Sequence, residues 1–412
     1  MVLSDISPNK NPSLFLCFLL TIIILLSSCG DDNESFIEEN PPNTRLISTN
    51  LATSNSASTL QLALNFANIN ISPQTFRYNV DLYKIQYKTV YKGEEITASG
   101  LIAIPKTNDQ LSVISVHHGT IGADREAPSN LPVTDSFVFL LQAVASTGFI
   151  AIAPDYIGFG SSSGIVHPYY AEELTATSIL DNITAGLEFA DQLSMNIDHK
   201  LFLAGYSQGG YATMATHKYI EENNLTEFGL TASFPASGGY NLKEFQEIVF
   251  DLETYHQPFY LAYISYSYQI AFGFNQPLSI LFNEPYATEI PSHFDGSKTG
   301  SEVNSELSTD ISMLLNPSFL NGIDSDPDYE FMKNALIENS LLDWSPTIPM
   351  YMYHGDADIT VPYQTSLSTY NRLLENGTSP DILTLTNLPG KTHSTGLTPY
   401  IEEFIPILLD LK

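Results

Sequence analysis

The sequence predicts an α/β protein: a mostly parallel central sheet with helices on both faces, and a large, mainly helical cap inserted between late strands. Three observations lead there. Strand-like and helix-like segments alternate from about residue 76 to 238, as parallel strands joined by crossover helices do. A glycine-flanked serine, in Gly205-Tyr206-Ser207-Gln208-Gly209, lies between the apolar run Leu201–Ala204 and the small-residue run Tyr211–Ile220. The alternation stops at Gly238-Gly239 and resumes only at Pro349, and about 105 residues is far too long for an ordinary connection.

The N-terminus lies outside this pattern. Leu14 to Leu26 is an almost unbroken apolar run preceded by Lys10, and it is too short to span a bilayer as a helix. Leu26-Ser27-Ser28-Cys29 resembles a bacterial lipobox, which implies cleavage before Cys29, lipidation of its thiol and an N-terminal lipid anchor in a membrane. The acidic cluster Asp31-Asp32-Asn33-Glu34 resembles the export tag of surface-displayed Bacteroidetes lipoproteins. That resemblance implies a cell-envelope protein on the outer membrane. Residues 31 to about 75 are rich in Ser, Asn, Thr and Pro and read as a tether. The chain thus divides into a signal segment 1–28, a tether 29–75, a core in two parts, 76–239 and 346–412, and a cap 240–345.

Within the core, Val80–Tyr91 and Glu95–Pro105 form a hairpin turning at Lys92-Gly93. Leu111–His118 is a buried strand, Asp135–Thr147 a helix stopped by Gly148, and Phe149–Pro154 the next strand. Glu172–Leu193 is a long amphipathic helix with Ala176, Leu180, Ile183, Leu187 and Ala190 on one face. After the serine segment come the strand Leu230–Pro235, the cap, the strands Pro349–Tyr353 and Ile382–Leu385, and a closing helix Pro399–Leu411. In the cap, residues 254–283 carry no charged side chain but include Tyr255, Phe259, Tyr260, Tyr263, Tyr266, Tyr268, Phe272 and Phe274. Some of these are expected to pack the cap onto the core, the others to face an apolar or aromatic acyl group.

Composition excludes several functions. With 16 basic against 46 acidic residues and a net charge of −30, nucleic acid and anionic lipid are excluded as partners. Cys17 and Cys29 are the two cysteines, so once both are assigned to the export signal no thiol remains for a disulfide, a metal or a nucleophile.

The segment around Ser207 resembles the nucleophile elbow of α/β-hydrolases, a sharp strand-to-helix turn that lifts a serine hydroxyl above the sheet. Such a hydroxyl needs a base, and chain order in this fold runs serine, acid, histidine. His217 points from the elbow helix, His256 and His293 lie in the cap, and His354 ends a strand and shapes its turn. His393, in a loop after the last strand, is therefore the expected base. Two carboxylates, Asp356 and Asp358, follow the strand ending at Tyr353. His354-Gly355-Asp356-Ala357-Asp358 with Val361-Pro362 resembles an esterase and lipase signature in which the position of Asp358 is the triad acid, leaving Asp356 in reserve. The oxyanion hole needs two N–H donors. Gln208, the residue after the serine, supplies one. The loop His117-His118-Gly119-Thr120 resembles the family's oxyanion strand, implying Thr120 as the other, with Gly119 allowing close approach. His117 and His118 themselves are expected to be hydrogen-bonded core residues, and Asp155 a structural loop residue. His167-Pro168-Tyr169 resembles a segment of the secretory lipase family.

The resemblance implies a serine hydrolase cleaving carboxylic esters, small or lipid, through an acyl-enzyme on Ser207, without metal or organic cofactor. A peptidase or a carbohydrate esterase (acetyl or feruloyl) could use the same three residues. A lipid-anchored binding protein would not need them all.

Overall fold

The computed structural model describes residues 44–66, 69–72 and 75–412. The expected signal segment, Cys29 and the first part of the tether lie outside the described residues. Thr44–Lys412 form one compact unit. Its sheet has nine strands in the order β1-β2-β3-β5-β4-β6-β7-β8-β9. These are β1 (Leu46–Asn55), β2 (Val80–Tyr91), β3 (Glu94–Pro105), β4 (Leu111–His117), β5 (Phe149–Pro154), β6 (Ile197–Tyr206), β7 (Leu230–Ala236), β8 (Met350–Gly355) and β9 (Leu383–Leu388). The first three pair antiparallel, β3 pairs antiparallel with β5, and every pairing from β5 to β9 is parallel. The β2–β3 turn is tight because Lys92 and Gly93 both take positive φ, 52° and 82°, whose twist suits a two-residue hairpin.

The expected tether differs from what is found. Residues 46–66 belong to the domain, as β1 and as α1 (Ala57–Phe66). β1 extends the sheet edge beside β2 without a single buried side chain, so it carries no period-two apolar signal. Backbone pairing and end anchors hold it: Glu188 accepts from the Arg45 and Leu46 N–H groups at 3.0 and 2.7 Å, and Arg45 pairs with Asp181 at 2.9 Å. Helix α1 buries only Leu60 and Leu64. They join a core with Val138, Leu141 and Val144 of the helix α2 (Ser136–Ser146).

Helices α3 (Glu172–Gln192) and α4 (Gln208–Glu222) follow β5 and β6 as crossovers. Between β7 and β8 come α5 (Leu242–Phe250), α6 (Pro258–Phe272), α7 (Tyr286–His293), α8 (Gly300–Asn304), α9 (Ile311–Leu314), α10 (Pro317–Gly322) and α11 (Glu330–Glu338). After β8 come α12 (Tyr363–Glu375) and, closing the chain after β9, α13 (Leu397–Leu411). Among the described residues, no helix is long and apolar enough to cross a membrane.

Since Leu60 is fully buried against α2, Leu60→Ala should lower unfolding free energy by about 2–4 kcal/mol in urea titration. A change within about 0.5 kcal/mol, ordinary for surface positions, would mean that α1 is not docked.

Candidate active site

Ser207 occupies the turn between β6 and α4 with φ 59° and ψ −124°, a region that non-glycine residues rarely enter. The turn exists because its flanks have no side chains. A β-carbon on Gly205 would collide with the Gly209 carbonyl, and one on Gly209 with the His117 carbonyl. The Ser207 N–H donates to the Ala236 carbonyl at 2.9 Å, pinning the turn to the end of β7.

The structure brings Ser207, His393 and Asp358 together, although 186 and 35 residues separate the successive pairs. His393 Nε2 lies 2.8 Å from Ser207 Oγ, and His393 Nδ1 lies 2.7 Å from Asp358 Oδ2. A carboxylate only accepts, so the proton is on Nδ1, and Nε2 is free to accept the Ser207 proton. This is an arrangement able to activate a hydroxyl. His393 is held in place by Tyr206, whose hydroxyl donates to the His393 carbonyl at 2.7 Å. Burial pushes that phenol up to about 12, so it remains a donor.

Asp358 is anchored from every side. Its Oδ1 accepts the N–H groups of Thr360 and Val361 at 2.9 and 3.0 Å. Its Oδ2 is also 3.3 Å from Nε2 of His354. That histidine is fully buried, with Nε2 2.9 Å from the Val361 carbonyl and Nδ1 2.6 Å from Ser366 Oγ. Both neighbours of Nε2 accept, so Nε2 carries the proton and Ser366 donates to Nδ1. His354 thus does more than shape its turn: it is a second donor on the acid, a role the sequence signals only through the His-Gly pair. Burial opposes ionisation of Asp358, but the hydrogen bonds it accepts from His354 and His393 outweigh it and hold the carboxyl at about 2. Asp356, the reserve candidate, is exposed and points elsewhere, binding Asn387 Nδ2 at 3.1 Å and the Gly390 N–H at 2.6 Å.

Gln208 opens α4, so its N–H is one of the helix-start donors without an intrahelical acceptor. Its side chain is clamped: Nε2 lies 2.7 Å from Nε2 of His167, whose Nδ1 donates to the Ile157 carbonyl at 2.6 Å. Burial lowers His167 to about 3, keeping it neutral and able to accept. Gly119 adjoins the elbow; a β-carbon there would lie 3.6 Å from Ser207 Cβ. The Thr120 hydroxyl lies 2.9 Å from the Tyr169 hydroxyl, so His167 and Tyr169 of the quoted His167-Pro168-Tyr169 segment buttress residues expected to form the oxyanion hole.

The remaining candidates are structural. His117 is buried between Ser115 and Thr213, at 3.0 and 2.8 Å, and His118 donates from Nδ1 to the Gly119 carbonyl at 2.7 Å. Asp155 is buried and receives Ser99 Oγ at 2.6 Å and the Ser129 N–H at 2.8 Å, joining β3 and the segment after β4 to the end of β5. In the cap, Tyr255, Phe259, Tyr263 and Tyr268 are buried, and Tyr263 stacks on Tyr169 at 4.5 Å. Tyr255 donates to the Thr360 carbonyl at 2.7 Å, tying the cap to the acid loop.

Comparison with known proteins finds lipases and esterases. The family model of secretory lipases matches residues 128–222. A secreted triacylglycerol lipase of Malassezia furfur is 24% identical over 382 residues, covering 83% of this chain and 66% of the lipase. A Legionella pneumophila protein superposes with TM-score 0.80 at 27% identity, over 89% of this chain and 98% of its own. A mutant of the rice cell wall degrading esterase LipA from Xanthomonas oryzae gives TM-score 0.76 at 25% identity, over 89% and 98%. The chain has the fold of the α/β-hydrolases and is similar to secretory lipases and esterases.

Because Asp358 is held at about 2 against the ordinary 3.8, its carboxylate stabilises the fold fully above pH about 4, and this contribution is lost as pH falls towards 2. The gap in urea midpoint between wild type and Asp358→Asn should therefore narrow over that window. A gap that stays constant would contradict the hydrogen-bonded carboxylate.

Proposed function

We propose that the chain is a carboxylic-ester hydrolase of lipase or esterase type, working through an acyl-enzyme on Ser207. The observation that carries this reading is the unbroken hydrogen-bonded line from Ser207 through His393 to Asp358. Ser207 Oγ attacks the ester carbonyl while His393 Nε2 takes its proton. Asp358 holds the Nδ1–H tautomer and stabilises the imidazolium without accepting the proton. The N–H groups of Gln208 and Thr120 receive the tetrahedral oxyanion, with Gly119 leaving room. His393 then protonates the departing alcohol, and a water repeats the sequence to release the carboxylate. No step calls for a metal or organic cofactor.

The likeness to secretory lipases and to a named triacylglycerol lipase supports a lipid or small-molecule ester as substrate. The likeness to a cell wall degrading esterase supports a second reading, in which the ester is carried by a cell-wall polymer. The lipobox at Leu26–Cys29 supports anchoring in the cell envelope through a lipid on Cys29, and the acidic cluster after it supports display on the outer membrane.

On p-nitrophenyl esters, Ser207→Ala should abolish turnover, and Asp358→Asn should lower kcat by about 10⁴. Asp356→Asn should stay within about tenfold of wild type, since loss of a surface contact leaves the acid in place. Absence of turnover on short, long and feruloyl esters by folded wild type would sink the enzyme reading; preference for aminoacyl anilides would turn it to a peptidase. For the anchor, metabolic labelling with an alkyne fatty acid should mark the wild type and not Cys29→Ala. Equal labelling of both would remove Cys29 as the lipid site.

A further inference from the structure

The segment His167-Pro168-Tyr169 turns on itself. The Tyr169 N–H donates to the His167 carbonyl at 2.8 Å, closing a three-residue turn over Pro168. Proline has a fixed φ, so the side chains on either side of it leave the turn at a set spacing. One of them, His167, accepts from Nε2 of Gln208 at 2.7 Å, and the other, Tyr169, has its hydroxyl 2.9 Å from that of Thr120. The turn thus reaches both residues whose N–H groups are proposed to form the oxyanion hole. The spacing of those two donors matters, because they act only when aimed at the oxyanion before it forms.

A residue of the cap clips this turn. Ser267 of α6, 1% exposed, accepts the Tyr169 N–H at 2.6 Å and donates to the His167 carbonyl at 2.9 Å. Its one proton and a lone pair are thereby spent on the two ends of the same turn. Four residues earlier on the same helix face, the Tyr263 ring stacks on the Tyr169 ring, with centroids 4.5 Å apart and planes 8° apart. Helix α6 also reaches the next residue: Tyr268 donates to the Tyr170 carbonyl at 3.0 Å, which receives the Tyr211 hydroxyl as well, at 3.1 Å. Helix stability does not explain the serine. Alanine is the stronger helix former and has no hydroxyl to bury.

We propose that Ser267 is a positioning residue for ester hydrolysis: it fixes the His167–Tyr169 turn and, through the two side chains of that turn, the separation of the Gln208 and Thr120 N–H groups. The cap then supports the oxyanion hole as well as covering the serine. The proposal rests on the ester-hydrolase reading and on the two donors assigned in it. A slack turn costs transition-state stabilisation and leaves ground-state binding and His393 alone, because the oxyanion exists only in the tetrahedral state.

The test compares wild type, Ser267→Ala and Tyr268→Phe on p-nitrophenyl butyrate, with turnover counted per site titrated by a fluorophosphonate. An alkyl trifluoromethyl ketone serves as inhibitor, since its adduct on Ser207 places an oxyanion in the hole. In Ser267→Ala the Tyr169 N–H keeps the His167 carbonyl, so no buried donor is orphaned and the fold should hold. Tyr268→Phe is the control: it removes a hydroxyl from the same helix, while the Tyr170 carbonyl keeps Tyr211. Ser267→Ala should lower kcat by about tenfold to a hundredfold, keep KM within about twofold and weaken the ketone by the same factor as kcat/KM. The acid limb of its kcat/KM pH profile, set by His393, should not move. Tyr268→Phe should stay within about twofold of wild type throughout. Tyr169→Phe, which removes the Thr120 contact directly, should act in the same direction as Ser267→Ala, and the double variant should lose less than the product of the single losses. Ser267→Ala with wild-type kcat, or with lowered kcat but unchanged ketone affinity, would overturn the proposal, as would an equal loss in Tyr268→Phe. Each of these results leaves ester hydrolysis at Ser207 standing. A folded wild type inactive on esters would remove both.

Discussion

The site depends on a backbone that turns from strand to helix within one residue. Ser207 holds a conformation with positive φ that costs of order 1–3 kcal/mol, and surrounding contacts must impose it. Those contacts are close approaches of main chain to main chain: Gly205 against the Gly209 carbonyl, Gly209 against the end of β4, and the Ser207 N–H on the Ala236 carbonyl of β7. Three neighbouring parallel strands are thereby locked at one edge of the sheet. The loops that leave this edge carry Gly119, Asp358 and His393 towards the serine, and the N-terminus of α4 faces the same point.

A second constraint is the burial of a charge. Asp358 has no exposed side-chain surface, and a bare carboxylate there would be costly. Two backbone N–H groups and two histidines satisfy it, which is why it remains ionised. The chain Ser366–His354–Asp358–His393–Ser207 is therefore continuous, and the order of donors along it follows from which atoms can only accept. Rigid support of this kind lets a loop-borne acid and base keep a fixed geometry.

How far the chain is legible before folding differs between elements. The parallel strands, the elbow and the closing helix are legible from their apolar patterns, although β6 begins four residues before, and β9 runs three residues beyond, the apolar run that marks it. β1 and α1 are not, because an edge strand with no buried side chain and a helix with two buried leucines resemble a polar tether. The choice between Asp356 and Asp358 could be made only by analogy to a signature. In three dimensions the exposed Asp356 braces the turn at Gly390, whereas Asp358 is buried under His393. The aromatic run in the cap was visible as composition, but which rings face each other is a matter of packing.

By itself, the sequence determined the alternating α/β architecture, the sharp turn at Ser207 and a short list of bases and acids, since periodicity, glycine placement and chain order are local or sequential properties. Only the tertiary structure decided which carboxylate meets His393, and that His354, His167 and Tyr206 support the reacting groups. These are contacts between residues up to hundreds of positions apart, and no single residue encodes them.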